Sequence, residues 1–164
     1  MSHKISVVIP AYNEENRIKP VLYKTKQYVD EVIVIDDCST DNTFKIAEQS
    51  GVKVYKTRKN MGPLGAYKLG IKKATGDIII KLDADGEHKP EDIPRLVEPI
   101  INDQADIVLG ARKKIHRWSE RRLSDLTSLK VNIKDTGTGF KAGKAGILKK
   151  TKFYVKCACG TFVL

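Results

Sequence analysis

Short, solid runs of β-branched residues alternate along this chain with stretches of helical period, and that alternation leaves few folds open. Ile5-Ser6-Val7-Val8-Ile9, Val32-Ile33-Val34-Ile35, Val52-Lys53-Val54-Tyr55, Ile78-Ile79-Ile80-Lys81-Leu82 and Ile107-Val108-Leu109 read as strands. Most are continuous apolar runs, the pattern of strands covered on both faces. Between them, Ile18, Val21, Leu22 and Val29 share a helical stripe, with Asn13 placed to cap it and Glu14 and Glu15 in its first turn. Asp41 or Thr40 is placed to cap a second helix, which Gly51 ends. Tyr67, Ile71 and Ala74 mark a third, closed by Gly76. Ile93, Leu96, Val97, Ile100 and Ile101 mark a fourth, entered through Pro90 and expected to kink or shorten at Pro99. Strand, helix, strand, repeated, predicts an α/β fold: a mostly parallel sheet with helices on both faces. After Arg112 the rhythm is lost. A basic stretch runs to Arg122, a helix is expected to about Ser128, and Val131-Asn132-Ile133 is strand-like. No order is legible from Thr138 onward.

At 164 residues the chain fits one domain with a real core. Its 41% hydrophobic and 30% charged residues exclude a disordered chain. No apolar run is long enough to span a bilayer. Met1-Ser2-His3-Lys4 runs straight into the first strand with no signal peptide, which predicts a cytoplasmic protein. Cys157 and Cys159 form a C-x-C pair with no second pair elsewhere, so these cysteines and Cys38 read as free thiols rather than zinc ligands. The net charge of +10 asks for an anionic partner: nucleic acid, an anionic membrane or a phosphorylated small molecule.

Open α/β sheets bind ligands at the carboxyl ends of their strands. Three predicted strands end there on polar or acidic residues: Pro10-Ala11-Tyr12-Asn13-Glu14-Glu15, Asp36-Asp37-Cys38-Ser39-Thr40-Asp41 and Asp83-Ala84-Asp85-Gly86-Glu87-His88. Any one could be helix capping. Three converging on one edge point to a ligand. Asp83 and Asp85, two apart, can both reach a hard cation. If the ligand is a diphosphate, a cation has work to do. A carboxylate about 4 Å from a phosphate oxygen is repelled by roughly 4 kcal/mol at an effective dielectric near 20. Mg²⁺ or Mn²⁺ turns that repulsion into attraction.

Other owners of such patterns fit less well. An EF-hand starting at Asp83 would need glycine at His88 and glutamate at Pro94. A D-x-D-G phosphatase would place its nucleophile on the first strand, whereas Asp83 follows the fourth. A dinucleotide-binding fold would carry G-x-G-x-x-G after its first strand, where Pro10-Ala11-Tyr12-Asn13 stands.

Val7-Val8-Ile9-Pro10-Ala11-Tyr12-Asn13-Glu14 resembles the opening of the family 2 inverting glycosyltransferases of the GT-A fold. Ile33 to Asp41 is similar to their second motif, and Arg58-Lys59-Asn60-Met61-Gly62 with Gly65-Ala66-Tyr67 and Gly70 to their third. Leu82 to His88 with Pro90-Glu91 is similar to their D-x-D segment. Asp106 to Arg112 and Asp135 to Ala142 complete the order. Within the family the resemblance is to dolichyl- or polyprenyl-phosphate mannose and glucose synthases. It implies a single GT-A catalytic domain over residues 1–164, lacking the family's C-terminal extension.

The resemblance also implies roles. Pro10, Ala11, Tyr12, Glu14 and one of Asp36 or Asp37 would hold nucleobase and ribose, and Arg58 would approach base or diphosphate. Asp83, Ala84 and Asp85 would meet the nucleotide, and Asp83, Asp85 and Glu87 a Mg²⁺ or Mn²⁺ ion. Arg112, with Arg121 or Arg122, would face phosphate. The donor is then a UDP- or GDP-sugar and the acceptor a polyprenyl phosphate, which is already an anion and needs no strong base. For a hydroxyl acceptor, Asp135 is the nearest motif carboxylate. A nucleotide-binding module without turnover, or a phosphatase using Asp83, are the alternatives. Arg112, Lys113, Lys114, His116, Arg117, Arg121 and Arg122 crowd one stretch with Trp118. It is either a solvated loop or a peripheral contact with anionic membrane. Without a recognised motif or stacking platform, nucleic acid is not expected as a partner.

Overall fold

The computed structural model describes residues 3–111 and 138–151. Within them six strands form one sheet: β1 (Ile5–Ala11), β2 (Glu31–Asp36), β3 (Lys53–Lys56), β4 (Ile78–Lys81), β5 (Ile107–Leu109) and β6 (Lys141–Lys144). Their order is β3-β2-β1-β4-β6-β5. The first four are parallel, as the solid apolar runs predict, while β6 runs antiparallel between β4 and β5.

The helices are α1 (Ile18–Thr25), α2 (Thr43–Gln49), α3 (Gly62–Lys73), α4 (Ile93–Ile101) and α5 (Ala145–Lys150), with a 3₁₀ turn at Pro90–Asp92 leading into α4. Alternate residues of each strand feed two cores. Val7, Ile9, Val32, Val34, Ile78 and Ile80 pack with Leu22 of α1, Ala47 of α2 and Leu96 of α4. Val8, Ile33, Ile35 and Ile79 pack with Tyr67 and Ile71 of α3 and Leu148 of α5 on the other face. Right-handed crossovers require this split. The chain steps outward through β1, β2 and β3, and returns past β1 to β4, so α3 must lie on the face opposite α1 and α2.

Some local expectations are corrected. Asn13 does not cap α1, which starts at Ile18 with no side-chain cap; it sits at φ +55° and bonds to the neighbouring loop. The expected first helix ends at Thr25, although Val29 still packs on the core. The N-cap of α2 is Asn42, without a side-chain cap, rather than Asp41 or Thr40; Asp41, one residue further out, accepts at Oδ1 from the Thr43 amide at 2.9 Å. Gly51 follows α2 at φ +68°, the left-handed turn that a residue without Cβ adopts freely. Pro99 does not stop α4, which runs two residues further. The missing N–H lies near the helix end, and the Pro99 carbonyl accepts from Gln104 and Ala105. Among the described residues no helix is long and apolar enough to cross a membrane.

Candidate active site

The strand order sets the carboxyl ends of β2, β1 and β4 side by side, and the direction of chain progression reverses between β1 and β4. Ligands of open α/β sheets lie at such a reversal. The register puts Ala11 beside Asp36 and Val8 beside Lys81, so the three polar loops leave the sheet together.

The first two loops are stitched to each other. The Asn13 amide donates to Ser39 Oγ at 3.0 Å, and the Thr40 amide donates to Asn13 Oδ1 at 3.0 Å. The Glu14 amide donates to Thr43 Oγ1 at 2.7 Å, and the Glu15 amide to Asp41 Oδ2 at 3.1 Å. Short polar side chains are suited to this, because each reaches a backbone group of the adjacent turn. Cys38, a free thiol, turns at φ +68° in the second loop. Pro10 and Ala11 close β1, and Tyr12 stands about half exposed (49%) just beyond.

Adjacent aspartates divide their labour. Asp37 Oδ1 accepts from Thr57 Oγ1 at 3.0 Å and from the Met61 amide at 2.9 Å, fixing the loop after β3 that also carries exposed Arg58. Asp36 is fully buried, and its carboxylate oxygens accept no hydrogen bond among the described residues. The Lys56 ammonium lies 3.6 Å from Asp36 Oδ2. A buried carboxylate with no hydrogen bond and only this long ion pair is costly, and its survival at a ligand edge fits a further partner that arrives with the ligand.

The D-x-D loop has its own scaffold. Asp83, about one-third exposed, meets Lys81 Nζ at 2.5 Å through Oδ1 and His88 Nε2 at 3.6 Å through Oδ2. Burial opposes the Asp83 charge, but the His88 imidazole and the Lys81 ammonium outweigh it and hold the carboxyl far below the usual range. A Cβ on Gly139 would fall 1.6 Å from Asp83 Oδ2, so only glycine admits this approach. The His88 ring stacks on Phe140 with centroids 5.5 Å apart. Ala84 is buried between the two carboxylates, and Asp85 Oδ1 accepts from the Glu87 amide at 3.0 Å. Glu87 is exposed. Burial raises the Glu14 pKa against the pull of Arg17, and the charges of Asp85 and Asp41 add to the rise. The loops after β1 and β4 therefore share one electrostatic field.

Among the described residues no three His, Cys, Asp or Glu groups converge on a cation point. This does not exclude Mg²⁺ or Mn²⁺ at Asp85, because such ions are commonly held by one or two carboxylates together with substrate phosphates. The expected triad of Asp83, Asp85 and Glu87 does not converge, and Lys81 and His88 already engage Asp83, so the carboxylate that fits such a site is Asp85. Arg112 and Asp135 lie outside the described residues, as does the basic stretch that follows Arg112.

Sequence reasoning passed over Lys56 and Lys81, and it gave no role to His88, Gly139 or Phe140, which it placed only within motifs of the resemblance. A signal existed for Lys81: a lysine inside an otherwise apolar strand must find a counter-charge. For Gly139 and Phe140 the motif gave position but not partner: only the tertiary fold sets Gly139 against Asp83 and Phe140 against His88. A cleft of about 630 Å³ lies at the opposite edge of the sheet by Gly76 and Asp77. Its Lys144 is paired with Asp103 and Asp106, and its Lys149 donates to the Ala74 carbonyl. It gathers none of the strand-end carboxylates.

A mostly parallel α/β sheet with a D-x-D loop at its reversal point is the GT-A type of glycosyltransferase fold. The chain belongs to glycosyl transferase family 2, which it matches over residues 6–160. It is 38% identical over 131 residues to the UDP-N-acetylglucosamine–dolichyl-phosphate N-acetylglucosaminyltransferase of Methanococcus voltae, covering 67% of this chain and 52% of that one. It is 34% identical over 161 residues to the dolichol-phosphate mannosyltransferase of Pyrococcus furiosus, covering 85% of this chain and 46% of that one. Among solved structures it is similar to glucosyl-3-phosphoglycerate synthase from Mycobacterium tuberculosis in complex with Mn²⁺, UDP-glucose and phosphoglyceric acid. That likeness has a TM-score of 0.79 at 26% identity and covers 93% of this chain and 60% of the synthase. The chain thus spans about half the length of the two curated relatives.

Proposed function

We propose that this protein transfers a hexose from a UDP- or GDP-sugar to a polyprenyl phosphate, with Mg²⁺ or Mn²⁺ assisting. The observation that carries the reading is the carboxyl edge itself: buried Asp36, whose oxygens accept no hydrogen bond among the described residues, and the Asp83-Ala84-Asp85 loop flank β1 at the reversal of the sheet. The names of the dolichyl-phosphate relatives support the acceptor, and the Mn²⁺ and UDP-glucose of the synthase support the donor and metal.

Pro10, Ala11, Tyr12 and Glu14 form the wall on which nucleobase and ribose rest, and Asp36 accepts hydrogen bonds from the incoming nucleoside. Arg58 approaches base or diphosphate from the loop after β3. Asp85, with Glu87 two residues on, would hold a divalent ion, which would supply positive charge to the departing diphosphate, while Asp83 stays paired with Lys81. An acceptor phosphate oxygen forms the new bond to the anomeric carbon, and the bond from that carbon to the diphosphate breaks with its electron pair. Arg112 orients phosphate. The acceptor is anionic at neutral pH, so Asp135 is required as a base only for a hydroxyl acceptor. The phosphatase alternative loses support because Lys81 and His88 engage both oxygens of its nucleophile.

The test is direct. Radiolabelled UDP- and GDP-sugars are supplied with polyprenyl phosphate and Mn²⁺, and label is followed into the organic phase. Transfer is expected with wild type and lost in Asp85→Ala. Nucleotide binding without consumption of any donor would leave a binding module instead.

A further inference from the structure

Lys81 is the one charged residue in the run Ile78-Ile79-Ile80-Lys81-Leu82, and its side chain is only 7% exposed. Packing alone would be served as well by another isoleucine, since a buried ammonium costs stability unless it is paired. It is paired, and at a telling place. Its Nζ donates to Asp83 Oδ1 at 2.5 Å and to the Gly139 carbonyl at 3.4 Å. The pair is held from both sides: Gly139 leaves no room for Asp83 to turn toward it, and His88, stacked on Phe140, flanks Oδ2.

We propose that Lys81 is a resident counter-ion of the donor site: it positions Asp83 and cancels its charge, so that of the two D-x-D carboxylates only Asp85 repels the donor diphosphate when no metal is bound. The inference rests on the reading that a nucleoside diphosphate binds at this edge. Two adjacent carboxylates would ordinarily both repel a diphosphate, and both would demand a cation. Here the protein supplies one cation itself, covalently, two residues from the carboxylate it serves. Binding of the nucleotide therefore depends less on metal than the bare D-x-D pattern implies. The ammonium beside Oδ1 also disfavours a divalent ion on Asp83, which shifts the metal's protein ligands toward Asp85.

Titration calorimetry with UDP and with GDP, in EDTA and in Mn²⁺, tests this through one ratio: affinity with metal over affinity without. In Lys81→Met the ratio should widen by about tenfold or more, while Lys81→Arg should stay within about threefold of wild type. Asp83→Asn should narrow the ratio, because it removes the charge that Lys81 offsets. The double change Lys81→Met with Asp83→Asn removes both charges together and should return the ratio to within about threefold of wild type. Independently, the electron paramagnetic resonance signal of free Mn²⁺ should show tighter metal binding by Lys81→Met than by wild type with no nucleotide present. A ratio in Lys81→Met equal to wild type, or restored by neither Arg nor the double change, overturns the proposal. Should Lys81→Met fail to fold, Asp83→Asn and the double variant decide, and a wider ratio in Asp83→Asn overturns it. Wild type that binds neither nucleotide under any condition refutes the donor reading itself, a result distinct from an unchanged ratio.

Discussion

Asp36 and Asp37 are neighbours in sequence and both buried, yet they carry opposite duties. Asp37 is structural: its Oδ1 gathers the Thr57 hydroxyl and the Met61 amide and fixes the turn into α3. Asp36 has no hydrogen bond to give up among the described residues. Their substitutions should therefore separate stability from binding. Asp37→Ala should cost about 1–3 kcal/mol, since it strands the Met61 amide and leaves the Thr57 hydroxyl only the Lys59 carbonyl. Asp36→Asn should unfold at the same temperature as wild type or higher, because it removes a buried anion, while nucleotide affinity falls at least about tenfold. Thermal unfolding and titration calorimetry on both variants check this. Loss of stability in Asp36→Asn comparable to that in Asp37→Ala would remove Asp36 from the donor site.

At the scale of elements, the amino edge of the sheet is locked by one carboxylate. Glu31 opens β2, accepts from Ser6 of β1, from Lys53 of β3 and from the amide and hydroxyl of Thr75 before β4, and so ties four strands together. Burial works against its charge, but the bonds from Lys53, Ser6 and Thr75 prevail and lower its pKa from 4.5 to about 2. A carboxyl depressed on folding stabilises the protein fully above its unfolded value and loses that contribution as pH falls toward the folded one. The window is thus pH 4.5 down to about 2. Its worth is roughly 2–3 kcal/mol, trimmed because the Lys53 partner is about half exposed to solvent. Glu31→Gln should lower stability at pH 7 by about that amount and flatten the acid dependence between those values, as read by urea unfolding across pH. Equal acid sensitivity in both proteins would mean that other carboxyls set it.

The whole molecule carries a net charge of +10, and six Lys or Arg with one Glu lie between Arg112 and Arg122. These residues lie outside the described part of the structure, so their role stands on chemistry alone. Attraction to an anionic bilayer is worth about 1 kcal/mol per basic residue near the surface, screened over about 8 Å at physiological salt. The protein should therefore sediment with anionic liposomes at low salt and be released as salt rises. Neutralising Lys113, Lys114 and Arg117 should weaken that association without touching nucleotide binding. Absence of liposome binding at low salt would move a soluble acceptor ahead of a lipid phosphate.

Much of this was written locally. β1, β2 and β4 were legible because each is a solid β-branched run, and burial on both faces demands that pattern. Their acidic exits were legible because strand ends are where such sheets bind. β6 was not: Lys141-Ala142-Gly143-Lys144 lacks β-branched residues and is a strand only because it fills the gap between β4 and β5. Nor could the sequence separate Asp36 from Asp37, since the distinction depends on which one Met61 and Thr57 reach from another strand's loop. The D-x-D aspartates announced themselves by spacing, but the Lys81, His88 and Gly139 contacts that set the charge and posture of Asp83 join residues up to 58 positions apart. Periodicity and residue type record what a segment needs from its surroundings. Which partner meets that need is decided only when the sheet brings distant segments within a few ångströms.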